Sequence, residues 1–164
     1  MRVKTEYAQR PVPVEVARGA MYAIVFLRDN ITKVEDATEE HGERWQADEY
    51  QLYDIPWTAK LAEKITESFA AYLERAKNLD YARAADNVRV KRNMLLSASD
   101  ARMALDRLGM EVPSGSTFTA WLVFLKKLGD ALVGSWAKYR QALRDITQQP
   151  GFPYDVNWPD EPGE

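Results

Sequence analysis

The sequence predicts an α+β fold: a small N-terminal antiparallel β-sheet or hairpin, then a four-helix α-helical region, then an extended C-terminal Trp-Pro tail. The sheet is indicated by residues 20–27, an apolar run rich in β-branched and aromatic residues. The helices are indicated by apolar residues that recur at every third or fourth position after residue 58. The tail is indicated by the prolines within residues 150–162, which lack the amide donor that a helix requires.

Residues 1–56 are the predicted β region, an extended arm followed by a hairpin or a three-stranded meander. In the arm, residues 10–16 alternate proline and valine, which suits an edge strand or a polyproline conformation. Residues 44–55 carry aromatic side chains among polar ones, which predicts a strand that pairs with residues 20–27. The acidic segment 35–43 is expected to be a solvated loop. Because an isolated hairpin is marginal in water, helices or a partner must cover one face.

Residues 57–164 are the predicted helical region, which we expect to form one compact unit with the β region. The apolar spacing predicts four helices, at about residues 58–77, 81–96, 100–108 and 118–147. Thr58 is expected to cap the first helix, and Asn78-Leu79-Asp80 to break the chain before the second. The longest helix is apolar nearly all round in its first half, so residues 118–133 are either a core helix or a partner-facing one.

The tail is expected to dock rather than to remain free. Pro150 must end the last helix, because proline also restricts the residue before it. Phe152, Tyr154 and Trp158 then follow in extended chain. A free terminus rarely carries three large aromatic side chains, so we expect this segment to fold back onto the helices.

Four motifs in the second half of the chain occur in a distinctive order: RNMLLSASD at 92–100, YRQALRDI at 139–146, QPGFP at 149–153 and VNWP at 156–159. Together they resemble the C-terminal module of the phage tail assembly chaperone family, over about residues 86–162. The chain has Ala101 where that family has a tryptophan, and its gap between the motif blocks is longer. The resemblance implies a structural role for Arg92, Asp100, Trp136, Tyr139, Arg140, Arg144, Asp145, Phe152, Pro153, Trp158 and Pro159. Among them we expect a partly buried network of Arg92, Arg144, Asp100 and Asp145 that holds the helices to the tail.

The residues give little support for catalysis. The only histidine is His41, in the acidic segment, and the chain has no cysteine, so a zinc site lacks ligands. The acidic segment lacks the ligand order of an EF-hand loop. The serines have no base other than His41, and there is neither a P-loop nor a Gly-x-Ser-x-Gly motif. We therefore predict no catalytic residue, no metal site and no cofactor.

Composition also argues against two classes of partner. The net charge of -3 offers no basic surface for nucleic acid. The longest uncharged run, residues 112–125, is too short to span a bilayer and contains Pro113 and Gly115. The absence of cysteine fits a reducing compartment. We expect a soluble protein without nucleic acid or membrane partners, and the family resemblance implies that it lies in the cytoplasm of the host bacterium or in the virion tail.

A protein partner is the remaining class, and aromatic residues are frequent in protein interfaces. We expect Phe118, Trp121 and Phe124 to contact a partner through a helix, and Val12 and Val14 through the arm. The family resemblance implies a non-enzymatic tail assembly chaperone, or tail fibre assembly protein, that binds an unassembled phage tail or tail-fibre protein. The alternatives are a structural tail or baseplate component that stays in the virion and an inhibitor directed at a host protein. Homo-oligomerisation is left open.

Overall fold

The structure is a computed structural model that describes residues 3–34, 44–103, 110–115 and 117–163. The chain divides into two compact units, Met1–Arg83 and Ala84–Glu164. The described residues form four β-strands and four α-helices, so the predicted α+β class is confirmed. No helix in these described ranges is both long enough and apolar enough to cross a membrane.

The N-terminal unit contains a four-stranded antiparallel sheet. Its strands are β1 (Val3–Tyr7), β2 (Val14–Arg18), β3 (Tyr22–Lys33) and β4 (Trp45–Pro56), in the order β1-β4-β3-β2. The predicted strands at 20–27 and 44–55 correspond to β3 and β4, which pair along most of their length. β3 and β4 form the long antiparallel hairpin, and β2 beside β3 extends it to a three-stranded meander. β1, which was not predicted, adds a fourth strand at the β4 edge. The predicted acidic loop and His41 lie outside the described residues.

One face of the sheet holds the core of this unit. It packs against two helices, α1 (Leu61–Glu67) and the first part of α2 (Phe69–Asp100). The buried residues are Ala23, Val25, Leu27, Tyr50, Leu52, Ile55, Leu61, Ile65, Leu73 and Ala76. Burying each large aliphatic side chain contributes about 1.5–3 kcal/mol, so this face supplies the cover that the hairpin requires.

The first two predicted helices have different boundaries in the structure. The chain is helical through 78–80, so the predicted break there is wrong. Asn and Asp cost a helix less than about 1 kcal/mol each, and the packing of Leu73, Ala76 and Leu79 against the core outweighs that cost. The interruption lies instead at Ser68, between α1 and α2. The predicted region boundary after residue 56 falls at the end of β4, whereas the two compact units divide within α2.

The last predicted helix is also divided. Residues 118–147 form α3 (Phe118–Leu132) and α4 (Ser135–Asp145), followed by a 3-10 turn. Gly134 has extended backbone and is the N-cap of α4. Val133, Gly134 and Ser135 are all weaker helix formers than the leucines before them, which favours a break at this point. Of the short helix predicted at 100–108, the structure describes a 3-10 turn, Ala101–Met103, and the remainder lies outside the described residues.

The second face of the sheet holds a buried guanidinium. Arg28 follows Leu27 on β3 and therefore points away from the core face, yet only 7% of it is exposed. Its Nε donates to Glu49 Oε2 (3.0 Å) and to Tyr7 Oη (2.9 Å). Its Nη2 donates to Glu15 (2.7 Å) and its Nη1 to the Val12 carbonyl (3.2 Å). One side chain on β3 is thus bonded to residues of β1, β2 and β4.

Two carboxylates of this unit are held ionised by their partners. Burial alone would raise the pKa of Glu49, but hydrogen bonds from Tyr7, Gln51 and Arg28 hold it below its ordinary value. A hydrogen bond from Lys77 Nζ (2.6 Å) lowers the pKa of Asp29. A carboxylate with a lowered pKa stabilises the fold above its unfolded pKa, and this contribution is lost as the pH falls through the folded pKa.

We expect the N-terminal unit to lose thermal stability as the pH falls from about 5 to about 3, because Glu49 and Asp29 take up protons on unfolding in that range. Thermal melts followed by circular dichroism at each pH measure the effect. Glu49→Gln should show a shallower pH dependence than wild type, whereas the exposed Glu63→Gln should retain it. Equal slopes for the two variants would contradict the role given to Glu49.

Candidate protein-binding surface

The helix α3 is apolar in composition yet contains no buried residue. Phe118 is 79% exposed, Leu125 57% and Leu132 63%. Single exposed apolar residues are ordinary on protein surfaces, but a continuous apolar helix face exposed to water indicates an interaction site. α3 therefore differs from α1, whose Leu61 and Ile65 are both buried.

The apolar residues of α3 fall on two lines. Ala120, Phe124, Leu128 and Ala131 are partly buried, and their spacing of four, four and three residues places them on one side of the helix. A second line lies about a third of a turn away. It consists of Phe118, Trp121, Leu122, Leu125, Gly129 and Leu132, and we refer to it as the α3 stripe. The charged residues Lys126, Lys127 and Asp130 lie off this stripe, so the exposed face is uninterrupted by charge.

Trp121 is held in place within the α3 stripe by two contacts of its indole ring. Its indole Nε1 donates to the Gly115 carbonyl (3.2 Å), and its ring meets Phe124 edge to face at 5.9 Å between centroids. The donor is therefore satisfied within the chain, and the 39% of the residue that is exposed is available for apolar contact. An aromatic side chain with a fixed orientation loses little entropy on binding, which is typical of an interface anchor.

Open cavities adjoin α3 at both ends of the helix. One, of about 430 Å³, is lined by residues 110–114 and by Val123 and Phe124 among others. The other, of about 470 Å³, includes Leu132 and Val133 in its lining. The second lining is mainly apolar and extends the apolar surface of the helix, whereas the first combines apolar residues with Glu111, Ser114, Thr119 and Lys127. In the described ranges no three His, Cys, Asp or Glu residues come together as metal ligands.

The predicted partner-binding residues lie in both units. Phe118 and Trp121 are exposed on α3, and Phe124 is partly buried beside Trp121. Val12 is exposed and its carbonyl accepts from Arg28, whereas Val14 packs against the core of the sheet. The valines thus belong to the N-terminal unit and the aromatic residues to the C-terminal one.

Sequence reasoning gave no special place to Leu122, Leu125, Gly129 and Leu132. Their three- and four-residue spacing is visible in the sequence, but the same spacing is expected of a core helix. The signal that separates the two cases is exposure, which the sequence does not contain.

The family-like motifs form a polar cluster within the C-terminal unit. Arg140 Nη1 donates to the Leu96 carbonyl (2.9 Å) and to Ser99 Oγ, and it pairs with Asp100 at 2.7 Å. Arg92 hydrogen-bonds to Asn93 instead, at 3.0 Å. Asp145 accepts from Gln141, and Arg144 is exposed beside the second cavity. The Asp100 contact to an arginine is therefore made by Arg140, and not by Arg92 or Arg144.

Aromatic rings of the motifs lie against cations. Lys91 Nζ is 4.2 Å from the centroid of Trp158, and the Arg89 guanidinium is 5.9 Å from that of Phe152. Trp136 lies near Arg102 at 5.5 Å and meets the buried Tyr139 edge to face at 5.8 Å. Exposed cation–π contacts contribute about 0.5–1 kcal/mol each. Three such contacts supplement the apolar packing of these rings.

The tail is also held by hydrogen bonds to its own beginning. The Gln149 side chain donates to the Asn157 carbonyl (2.8 Å) and accepts from the Asn157 amide (2.7 Å). Between these two residues the chain turns tightly at Gly151, whose carbonyl accepts from the Asp155 amide (2.7 Å). Pro153 within the turn is buried, and Pro159 beyond it is partly buried. The side-chain amide of Gln149 therefore forms the same pair of hydrogen bonds with Asn157 that the backbone of a neighbouring β-strand would form.

Residues 85–163 match the family model described as phage tail assembly chaperone protein. The match confirms the resemblance seen in the motifs, and it contains both the Arg140 cluster and the α3 stripe. No curated protein and no solved structure matches the chain.

Proposed function

We propose, from the match of residues 85–163 to the phage tail assembly chaperone family model, that this protein is non-enzymatic and binds an unassembled phage tail or tail-fibre protein. In this proposal it acts in the cytoplasm of the infected bacterium. The contact surface is the α3 stripe, which lies within the family-matched residues. A tail subunit with exposed apolar surface would cover the stripe until it is assembled.

The observation that carries this proposal is the exposure of α3. Burial of large apolar side chains contributes about 1.5–3 kcal/mol each. Association costs roughly 4–15 kcal/mol of translational, rotational and side-chain freedom. A stripe of five large side chains therefore supports moderate, reversible affinity, which a chaperone needs in order to release its client.

We expect the variant Phe118→Ser/Leu125→Ser to bind the tail protein at least about tenfold more weakly than wild type, a loss of roughly 1.4 kcal/mol. Both side chains are exposed, so their removal leaves the folded chain intact. Affinity capture from phage-infected lysate, with identification of the captured phage protein by mass spectrometry, measures the effect. Titration of the purified partner then gives the affinities.

The matched control is Val90→Ser/Met94→Ser, which removes two exposed apolar side chains from α2. It should capture the tail protein as well as wild type does. Equal capture by all three proteins would remove the stripe from the interface. Mass spectrometry of purified phage particles tests the role itself, since a fixed copy number in the particle would indicate a structural tail component. Capture of host proteins alone would favour a host-directed inhibitor.

A further inference from the structure

We propose that α3 pairs with α3 of a second copy of this chain, antiparallel, about a two-fold axis that passes at Leu125. The pairing goes beyond the proposed function, because it requires no client. It makes the second copy the occupant of the α3 stripe when no tail protein is present. Homo-oligomers with two-fold symmetry use the same surface on both subunits, so the stripe must be complementary to itself.

The spacing of α3 suits the packing of one helix on another. Phe118, Trp121, Leu125 and Leu132 of the stripe, together with the neighbouring and partly buried Leu128, alternate in steps of three and four residues, as the a and d positions of two heptads do. Helices that meet along such a seam cross at about 20°. Residues 118–125 carry no charge, so no ionic group is buried in the first half of the seam.

Self-complementarity decides the direction. About an axis at Leu125, Phe118 opposes Leu132 of the other copy, and Trp121 opposes Gly129. The space around Gly129 is open, with no atom within 4 Å of where a Cβ would lie. The largest residue of the stripe, Trp121, thus lies opposite the smallest, Gly129. A parallel pair would instead set Trp121 against Trp121 and leave a gap between the two glycines.

The area sets the strength of the pair. A 15-residue helix is roughly 22 Å long. The two stripes together bury on the order of 1,000 Å², which is at the low end of specific interfaces. We therefore expect a dimer that dissociates on dilution, and whose monomer has its stripe free for a client.

Charge exchange at Leu125 tests the pairing, because this residue opposes itself across the axis. Analytical ultracentrifugation of the purified wild-type chain should show a concentration-dependent dimer. Leu125→Lys and Leu125→Glu should each be monomeric, and their equimolar mixture should dimerise again. Val90→Lys, an exposed change outside the stripe, should leave the dimer unaffected. Wild-type protein that stays monomeric at all concentrations would overturn the proposal without affecting client binding by the same stripe.

Single cysteines test the direction, since the chain has none of its own. Under oxidation, Leu125→Cys should form a covalent dimer readily, whereas Leu132→Cys should form at least about tenfold less. Equal cross-linking at both positions would indicate a parallel pair and overturn the antiparallel register.

Discussion

Replacement of Arg28 with leucine is expected to destabilise the N-terminal unit by about 3–5 kcal/mol, the usual effect of removing one member of a buried ion pair. Glu49 would be left 8% exposed, without its cation. Tyr7, Glu15 and the Val12 carbonyl would lose a donor in the same step. Burial lowers the pKa of Arg28, but the hydrogen bonds to Glu15, Tyr7 and Glu49 outweigh burial and raise it. The hydrogen bonds thus stabilise the charged guanidinium by more than its burial destabilises it.

Two further variants separate the buried charge from the loss of a side chain. Arg28→Leu/Glu49→Leu removes both charges and should recover much of the lost stability, because well-packed apolar residues often replace a buried pair at little cost. Arg75→Leu breaks an exposed pair with Asp54 and should cost less than about 1 kcal/mol. Urea unfolding of the four proteins measures these differences. If Arg28→Leu cost no more than Arg75→Leu, the hydrogen bonds and ion pairs of Arg28 would contribute no more to stability than an exposed ion pair does.

The contacts of Arg28 are a part of the fold that could not be predicted from the sequence. β3 and β4 were predictable because the apolar run at 20–27 and the aromatic segment at 44–55 are local signals. These contacts join Arg28 to partners that are 13–21 residues away along the chain. β1 was missed for a similar reason: its five residues have no strong pattern, and they form a strand only because β4 offers an edge.

The candidate site was predicted in part for a related reason. The sequence singled out Phe118, Trp121 and Phe124, since aromatic residues at helical spacing are visible without a structure. Whether residues 118–133 were core or interface stayed open, because an apolar stripe has the same period in either case. The break at Gly134 was equally hidden, since the apolar spacing continues through it to Trp136 and Tyr139.

The turn at Gly151 in the tail is the second place where a single substitution should have a large effect on stability. Gly151→Ala is expected to cost about 3 kcal/mol, or to release the tail, because the added Cβ would overlap the Asp155 carbonyl oxygen. The atom in the way belongs to the backbone, so a side-chain rotation cannot relieve the overlap. The turn that it would open is closed by the Asp155 amide, which donates to the Gly151 carbonyl at 2.7 Å.

The amide of Asn157 is the local probe of that opening, since it donates to Gln149 Oε1. Native-state hydrogen exchange at Asn157 should accelerate by at least about tenfold in Gly151→Ala, because a hydrogen-bonded amide exchanges only when its segment opens. Gly115→Ala is the matched control, as a Cβ there meets no atom within 4 Å. Unchanged exchange at Asn157 in Gly151→Ala would mean that the turn tolerates a side chain. Acceleration confined to the tail would show that Gln149, Gly151 and Asn157 act together to hold the Trp-Pro segment.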